Sequence, residues 1–137
     1  MGDSMKKKNN LLLMVLWMIF IFVMSSFNGS DSANQSNFIV SFISHIFNIN
    51  NIELLSFIVR KLAHFMEYLI LGILVYNCFL KCNLSIFLCL LYAISDEVHQ
   101  IFVPGRSFQI RDVLIDLCGA IFGIIFLYLF NKKRLRN

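Results

Sequence analysis

The chain has 137 residues with a formal net charge of +4, and 58% of its residues are hydrophobic. This length suffices for one compact domain, and a mean hydropathy of +0.74 is too apolar for a water-soluble domain of this size. We therefore expect the surrounding solvent to be lipid. The positive charge does not indicate a nucleic-acid partner, because the basic residues cluster at the ends of apolar runs, where they set membrane orientation.

Four apolar runs are long enough to cross a membrane, since each covers on the order of 30 Å at a rise of 1.5 Å per residue. They lie at about residues 11–27, 62–80, 84–103 and 113–130. The first run follows three lysines, as in a signal peptide, but it ends in a weak cleavage site and more runs follow. The sequence therefore predicts an all-α membrane protein with four transmembrane helices in a single domain, residues 1–137.

The segment between the first and second spans has two parts. Residues 28–37 are rich in Ser and Asn and predict a flexible loop. From Phe38 to Ile46, apolar residues then recur at helical spacing, which predicts an extracytoplasmic amphipathic helix. Asn50 or Asn51 is a candidate N-cap for a helix that begins at Ile52 and continues into the second span.

The distribution of Lys and Arg predicts the orientation. With the N-terminus inside, the cytoplasmic side collects eight basic residues: Lys6, Lys7, Lys8, Lys81, Lys132, Lys133, Arg134 and Arg136. The outer side holds four: Arg60, Lys61, Arg106 and Arg111. Both termini are therefore predicted to be cytoplasmic. The tight linker at residues 81–83 predicts that spans two and three form an antiparallel hairpin.

Ionisable residues lie inside three of these spans, where each charge costs roughly 3 kcal/mol or more unless it has a partner or a function. Counted from the outer surface, His64 and Gln100 lie roughly 5 Å deep, and Glu67, Glu97 and Asp116 roughly 8 to 9 Å deep. Segments that are far apart in sequence thus place their polar groups in one layer. The sequence predicts a polar pocket beneath the outer surface.

Helical spacing also predicts which faces point into the bundle. Asp112 and Asp116 share a stripe with Gly119 and Gly123, a Gly-x-x-x-Gly pair that permits close helix contact. This stripe should face the bundle and direct both carboxylates inward. Between spans three and four, Pro104 and Gly105 predict a turn that ends the third helix.

The types of residue in this layer indicate general acid–base chemistry or the binding of an anionic group. The candidate catalytic residues are His64 and Glu67 as the acid–base pair, with Asp96 and Glu97 orienting them or sharing the proton. Arginines are forked donors for carboxylate or phosphate. The candidate substrate-binding residues are Arg60, Tyr68, Gln100, Arg106, Asp112 and Asp116.

Two other interpretations of the same residues stay open at this point. The charges are also consistent with a purely structural ion-pair network, in which Arg60 pairs with Glu67, and Arg106 with Asp96 or Glu97. A metal site drawing on His64 and the acids is a second alternative, but no diagnostic spacing such as His-Glu-x-x-His is present, so no metal or cofactor is assigned. The four cysteines fall in or beside the spans and favour free, packed thiols.

Three segments carry a resemblance to a known family: RKLAHFMEYL at 60–69, AISDEVHQIFVPGR at 93–106 and RDVLIDLCGA at 111–120. In these motifs the chain resembles the VanZ-like family of bacterial membrane proteins. The resemblance implies an integral protein of the cell envelope and a link to resistance against teicoplanin, a lipid-tailed glycopeptide antibiotic. The family's polar positions map onto Arg60, His64, Glu67, Tyr68, Asp96, Glu97, Gln100, Pro104, Arg106 and Asp112. Asp116 stands where the family often has Asn.

Together these observations predict a multi-pass protein of the bacterial plasma membrane whose polar pocket opens to the outer leaflet. The expected partner is a membrane lipid or a lipid-linked envelope molecule. The pocket is expected to bind this molecule, and its acid–base groups are suited to modify it. The main alternative is a non-catalytic protein that binds or excludes a lipidated antibiotic. A small carrier is a third possibility; it needs an oligomer at this size, and no internal repeat supports it.

Overall fold

A computed structural model of the protein describes residues 2–27, 39–46 and 51–134. The described residues form helices and their connections, with no strand. The helices are α1 (Gly2–Ser25), α2 (39–46), α3 (Ile52–Phe79), α4 (Cys82–Gln100) and α5 (Ile110–Arg134). The predicted all-α class is confirmed, and α2 falls within the predicted amphipathic helix. The predicted loop at 28–37 lies outside the described residues.

Three of these helices are long and apolar enough to cross a membrane: Lys7–Ser25 in α1, Ile52–Phe79 in α3 and Ile110–Lys133 in α5. Within the described chain, α4 does not join them. Its last turns carry Asp96, Glu97, His99 and Gln100, which lower its hydropathy. A fourth crossing and the extracytoplasmic position of α2 therefore stay predictions.

The ends of α3 follow from its sequence. The Asn51 side chain accepts a hydrogen bond from the Leu54 amide at 3.1 Å, as predicted for an N-cap, so the helix begins well before the predicted span. At the other end, Leu80 adopts a left-handed conformation (φ 53°) and its amide donates to the Tyr76 carbonyl at 2.8 Å. α4 begins at Cys82, so this short turn makes α3 and α4 the predicted antiparallel hairpin.

α3 is the central helix of the bundle. It contacts α1, α4 and α5, and its contact with α5 is the most extensive in the molecule. Small residues allow this approach: a Cβ added at Gly119 would overlap the Phe65 carbonyl oxygen, and one added at Gly123 would overlap that of Leu69. Gly72 lies equally close to the backbone of Ala120. The predicted inward-facing glycine stripe is confirmed.

The core is a narrow column between these helices, and much of the outer surface is apolar. The buried members of the core are Ile21, Tyr68, Leu71, Val75, Cys89, Ala93, Val113 and Ala120. Large apolar side chains point outward along each long helix, such as Leu16 in α1, Leu62 in α3 and Phe126 in α5, which is 65% exposed. Exposed apolar surface on this scale fits a lipid environment rather than water.

Candidate functional site

A cavity of about 320 Å³ lies at the end of the bundle where α1 ends and α3 and α5 begin. Every described helix contributes to its wall, together with the loop between α4 and α5. Its apolar lining includes Met24, Ile39, Phe57 and Val59. We call this space the polar cavity, because charged, amide and hydroxyl side chains make up most of the rest of its wall.

The structure brings most of the predicted site residues to this cavity. Six of the ten line it: Arg60, His64, Glu67, Gln100, Arg106 and Asp112. The other four are buried behind the wall: Tyr68, Asp96, Glu97 and Asp116, each at most 3% exposed. The structure therefore brings the predicted polar residues together in one part of the bundle. The catalytic and binding roles assigned to its members stay predictions.

Asp96 connects two helices. Its Oδ2 atom accepts a hydrogen bond of 2.8 Å from the Ser25 hydroxyl at the end of α1, and both side chains are buried. Hydrogen bonds to a charged group contribute about 1.5 to 3 kcal/mol. This contact holds the end of α1 against α4 and closes one side of the cavity. Sequence analysis missed Ser25, because nothing in its local pattern distinguishes it from Ser26.

Glu97 organises the loop that carries Arg106. Its side chain is fully buried, and Oε2 accepts a hydrogen bond of 2.9 Å from the Gln109 amide at the start of α5. Gly105 has a φ of 75°, a backbone conformation that glycine adopts without strain, so the predicted turn at Pro104 and Gly105 is present. In this structure Glu97 therefore acts on the loop, and it does not line the cavity.

An ion pair joins the third turn of α3 to the first turn of α5, the two tightly packed helices. The Lys61 ammonium contacts the Asp112 carboxylate, and the two side chains are 18% and 8% exposed. Sequence analysis used Lys61 only to set orientation. The sequence contains a hint of its partner, since Lys61 and Asp112 each precede one of the apolar runs that were expected to start at the same end of the bundle.

His64 and Asp116 form the second charged contact. The His64 Nδ1 atom lies 3.6 Å from Asp116 Oδ1, and the Asp116 side chain is fully buried. Among the described residues, neither carboxylate oxygen of Asp116 has a hydrogen-bond partner, and His64 Nδ1 has none either. The buried carboxylate beside the cavity-lining imidazole is thus Asp116, whereas the sequence argument placed Asp96 and Glu97 in that position.

The two arginines of the cavity are free of carboxylate partners within the described residues, since the ion pairs there are Lys61–Asp112 and His64–Asp116. The structural network that pairs Arg60 with Glu67 and Arg106 with Asp96 or Glu97 is therefore not the arrangement found. Burial lowers the pKa of Arg106, and attraction to the nearby carboxylates opposes that shift. Because an arginine side chain is not deprotonated in proteins, Arg106 brings a positive charge to the cavity.

Two further polar groups lie close to the site without lining it. The Tyr68 hydroxyl is buried and has no hydrogen-bond partner in the described protein, and its ring lies 6.2 Å from that of Tyr92. The His99 ring packs 4.3 Å from the Phe22 ring, and its Nε2 atom is 3.1 Å from the Ser26 hydroxyl. These contacts give His99 a packing role between α1 and α4.

In the part of the chain that the structure describes, no three His, Cys, Asp or Glu side chains form a group that could hold a metal ion. The chemistry available from the described residues is therefore proton transfer by an imidazole and carboxylates, hydrogen bonding by an amide, and anion binding by guanidinium groups.

The fold and site define a helical protein with three helices of membrane-spanning length and composition and a charged cavity at one end of the bundle. The sequence model of the VanZ/LLP1 family matches residues 10–131, nearly the whole chain. The chain therefore belongs to the VanZ/LLP1 family, as the motifs in the sequence indicated. No curated protein and no solved structure gives a significant match.

Proposed function

We propose that the protein crosses the bacterial plasma membrane four times with both termini in the cytoplasm, which puts the polar cavity at the outer leaflet. The position of α4 supports a fourth crossing, because α4 runs antiparallel to α3 and also packs against α5. The excess of basic residues at the termini and at Lys81 supports the orientation.

We propose that the polar cavity binds the anionic headgroup of an envelope lipid or a lipid-linked molecule. One observation carries this proposal: Arg60 and Arg106, which have no carboxylate partner among the residues that the structure describes, line the same cavity as the apolar side chains of Ile39 and Phe57. Guanidinium groups suit phosphate or carboxylate oxygens, and the apolar wall suits the chain attached to them. A volume of about 320 Å³ is within the usual range for a small-molecule site.

The same cavity holds groups that can act on a bound headgroup. His64 and Glu67 line it from adjacent turns of α3, so both can reach one ligand. In this proposal one group accepts a proton from an attacking hydroxyl or water and the other donates a proton to the leaving group, as in transfer or hydrolysis of an acyl, phosphoryl or glycosyl group.

Lipid binding is tested with purified protein in nanodiscs that contain an anionic phospholipid and phosphatidylcholine. Native mass spectrometry after detergent release measures which lipids stay bound. Replacement Arg106→Gln should weaken retention of the anionic lipid about tenfold, since loss of a charge-assisted contact of roughly 1.4 kcal/mol corresponds to one order of magnitude. Arg60→Gln should have a smaller effect, because that side chain is exposed.

Arg111→Gln is the matched control for the binding test. Arg111 is an exposed arginine at the same end of the bundle, and it does not line the cavity. Its replacement should leave lipid retention close to that of the wild type. If Arg111→Gln and Arg106→Gln reduce retention equally, the binding reflects general surface charge, and the proposed site is wrong.

The non-catalytic alternative, a protein that binds or excludes a lipidated antibiotic, differs in its response to Glu67→Gln. A catalytic protein should lose its effect on the envelope lipid composition, measured by lipidomics of cells with and without the protein. A binding protein should keep its effect on teicoplanin susceptibility in Glu67→Gln and lose it in Arg106→Gln. Unchanged lipid composition in the catalytic comparison contradicts the acid–base role.

A further inference from the structure

Asp116 is a fully buried carboxylate that faces His64, one of the candidate acid–base residues. It lies on α5, and neither of its oxygens has a hydrogen-bond partner in residues 2–27, 39–46 and 51–134. A buried carboxylate without a donor costs free energy, so a donor near it has a strong reason to bind it. The group placed for that is His64, whose Nδ1 atom is 3.6 Å from Oδ1.

The two nitrogens of the His64 ring have different surroundings. Nδ1 is fully buried and faces Asp116, whereas Nε2 is not among the buried atoms without partners, and the ring lines the polar cavity. The hydrogen bond made by one ring nitrogen decides which tautomer a neutral histidine adopts. Shortening the Nδ1–Oδ1 distance by about 0.5 Å gives an ordinary hydrogen bond.

We propose that Asp116 is a positioning residue whose carboxylate accepts a hydrogen bond from the Nδ1–H group of His64, which keeps the proton on Nδ1 and leaves Nε2 unprotonated toward the polar cavity. This inference deepens the proposed function and rests on it, because an unprotonated Nε2 is the form that accepts a proton from a hydroxyl or water in the cavity. Asp116 itself does not line the cavity and therefore touches no ligand there.

The packing of α5 on α3 explains why this geometry is held. Gly119 lies one turn after Asp116 and sits against the Phe65 carbonyl, next in sequence to His64. The close approach of the two backbones leaves little freedom for Asp116 to move away from the imidazole. The contact between His64 and Asp116 is thus held by the closely packed backbones of α3 and α5.

The tautomer of His64 is the direct test. Nitrogen NMR of ¹⁵N-histidine-labelled protein without added ligand, at about pH 9.5 and so above the ordinary histidine pKa of about 6.5, distinguishes the two neutral forms. A His64→Gln variant assigns the signal among the three histidines. We expect Nδ1–H in the wild type, a shift to mainly Nε2–H in Asp116→Leu, and restored Nδ1–H in Asp116→Asn, whose amide oxygen still accepts.

Asp96→Asn is the control, because Asp96 is also buried but bonds to Ser25. It should leave the tautomer unchanged. A wild-type ring that carries its proton on Nε2 overturns the proposal, and so does an Asp116→Leu spectrum identical to that of the wild type. If Asp116→Leu does not fold, the wild-type tautomer decides alone. The measurement needs no lipid, so its failure is distinguishable from failure of the binding test.

Discussion

The two ends of the bundle differ in how many of their buried polar atoms are hydrogen-bonded. At the end with the polar cavity, several buried side-chain atoms lack hydrogen-bond partners in the described part of the chain; they belong to His64, Tyr68, Asp96, Glu97, Gln100 and Asp116. In the described residues, no such atom occurs at the end where α3 turns into α4. A second cavity of about 180 Å³ lies there, lined by apolar side chains and by Tyr92, whose hydroxyl donates to the Met18 carbonyl at 2.6 Å.

This difference indicates how stability and function are divided. The end near the α3–α4 turn and the glycine contacts in the middle of the bundle hold the helices together by close packing. The polar end keeps groups whose hydrogen-bonding capacity the protein does not satisfy, at a cost in stability. Such groups are expected where a ligand or a reaction supplies the missing partner. We therefore expect the closely packed part of the bundle to hold the side chains of the polar end in position.

Gly119→Leu should have the largest effect on stability, because it disrupts the close packing that holds the polar end in position. The added side chain overlaps the Phe65 backbone, so α3 and α5 must separate, and we expect a loss of about 3 kcal/mol or more in the free energy of unfolding. Chemical denaturation in mild detergent measures it. Cys118→Leu is the matched control, because Cys118 is the exposed neighbour and should tolerate leucine. Equal effects of the two variants would contradict close packing at Gly119.

A smaller effect is expected from Lys61→Met, which leaves the Asp112 carboxylate without its partner. Removing one member of a buried pair costs 3 to 5 kcal/mol, and the partial exposure of Lys61 reduces our expectation to about 2 kcal/mol. Lys81→Met, at the exposed opposite turn, should change stability by less than about 0.5 kcal/mol.

Adding Asp112→Asn to Lys61→Met tests the cause of that loss. If the loss comes from an unpaired buried charge, neutralising Asp112 should recover most of it. Thermal unfolding of the single and double variants provides the comparison. A double variant less stable than Lys61→Met would show that Asp112 is stabilised by something other than Lys61.

The sequence predicted the helices and the convergence of polar residues from separate helices, because both follow from local periodicity. The depth of these residues in the membrane stays a prediction. His64, Glu67 and Gln100 are polar residues within apolar runs, and all three line the cavity. The Gly119–Gly123 stripe predicted the contact between α3 and α5. These inferences need only the rise per residue and the angle between successive residues.

The sequence could not predict which polar group contacts which. The partners of Asp96 and Glu97 are Ser25 and Gln109, and they depend on how helix ends and a loop pack in three dimensions. Helical spacing fixes faces within one helix and leaves the rotation between helices open. The placement of Asp116 beside His64 is of the same kind, since it depends on the approach of α5 to α3.

The smallest effect should come from the cap of α3, at the boundary of the polar end. Asn51→Ala removes the side-chain oxygen that accepts from the Leu54 amide, and N-cap losses of this kind cost about 1 kcal/mol. Hydrogen exchange of the Leu54 amide should accelerate, whereas Asn51→Ser, which also caps, should exchange nearly as the wild type does. Because Phe57, Arg60 and His64 all follow this cap on α3, faster exchange that extends to these residues would show that the cap also holds the wall of the cavity. Exchange confined to the first turn would show that contacts other than the cap fix that wall.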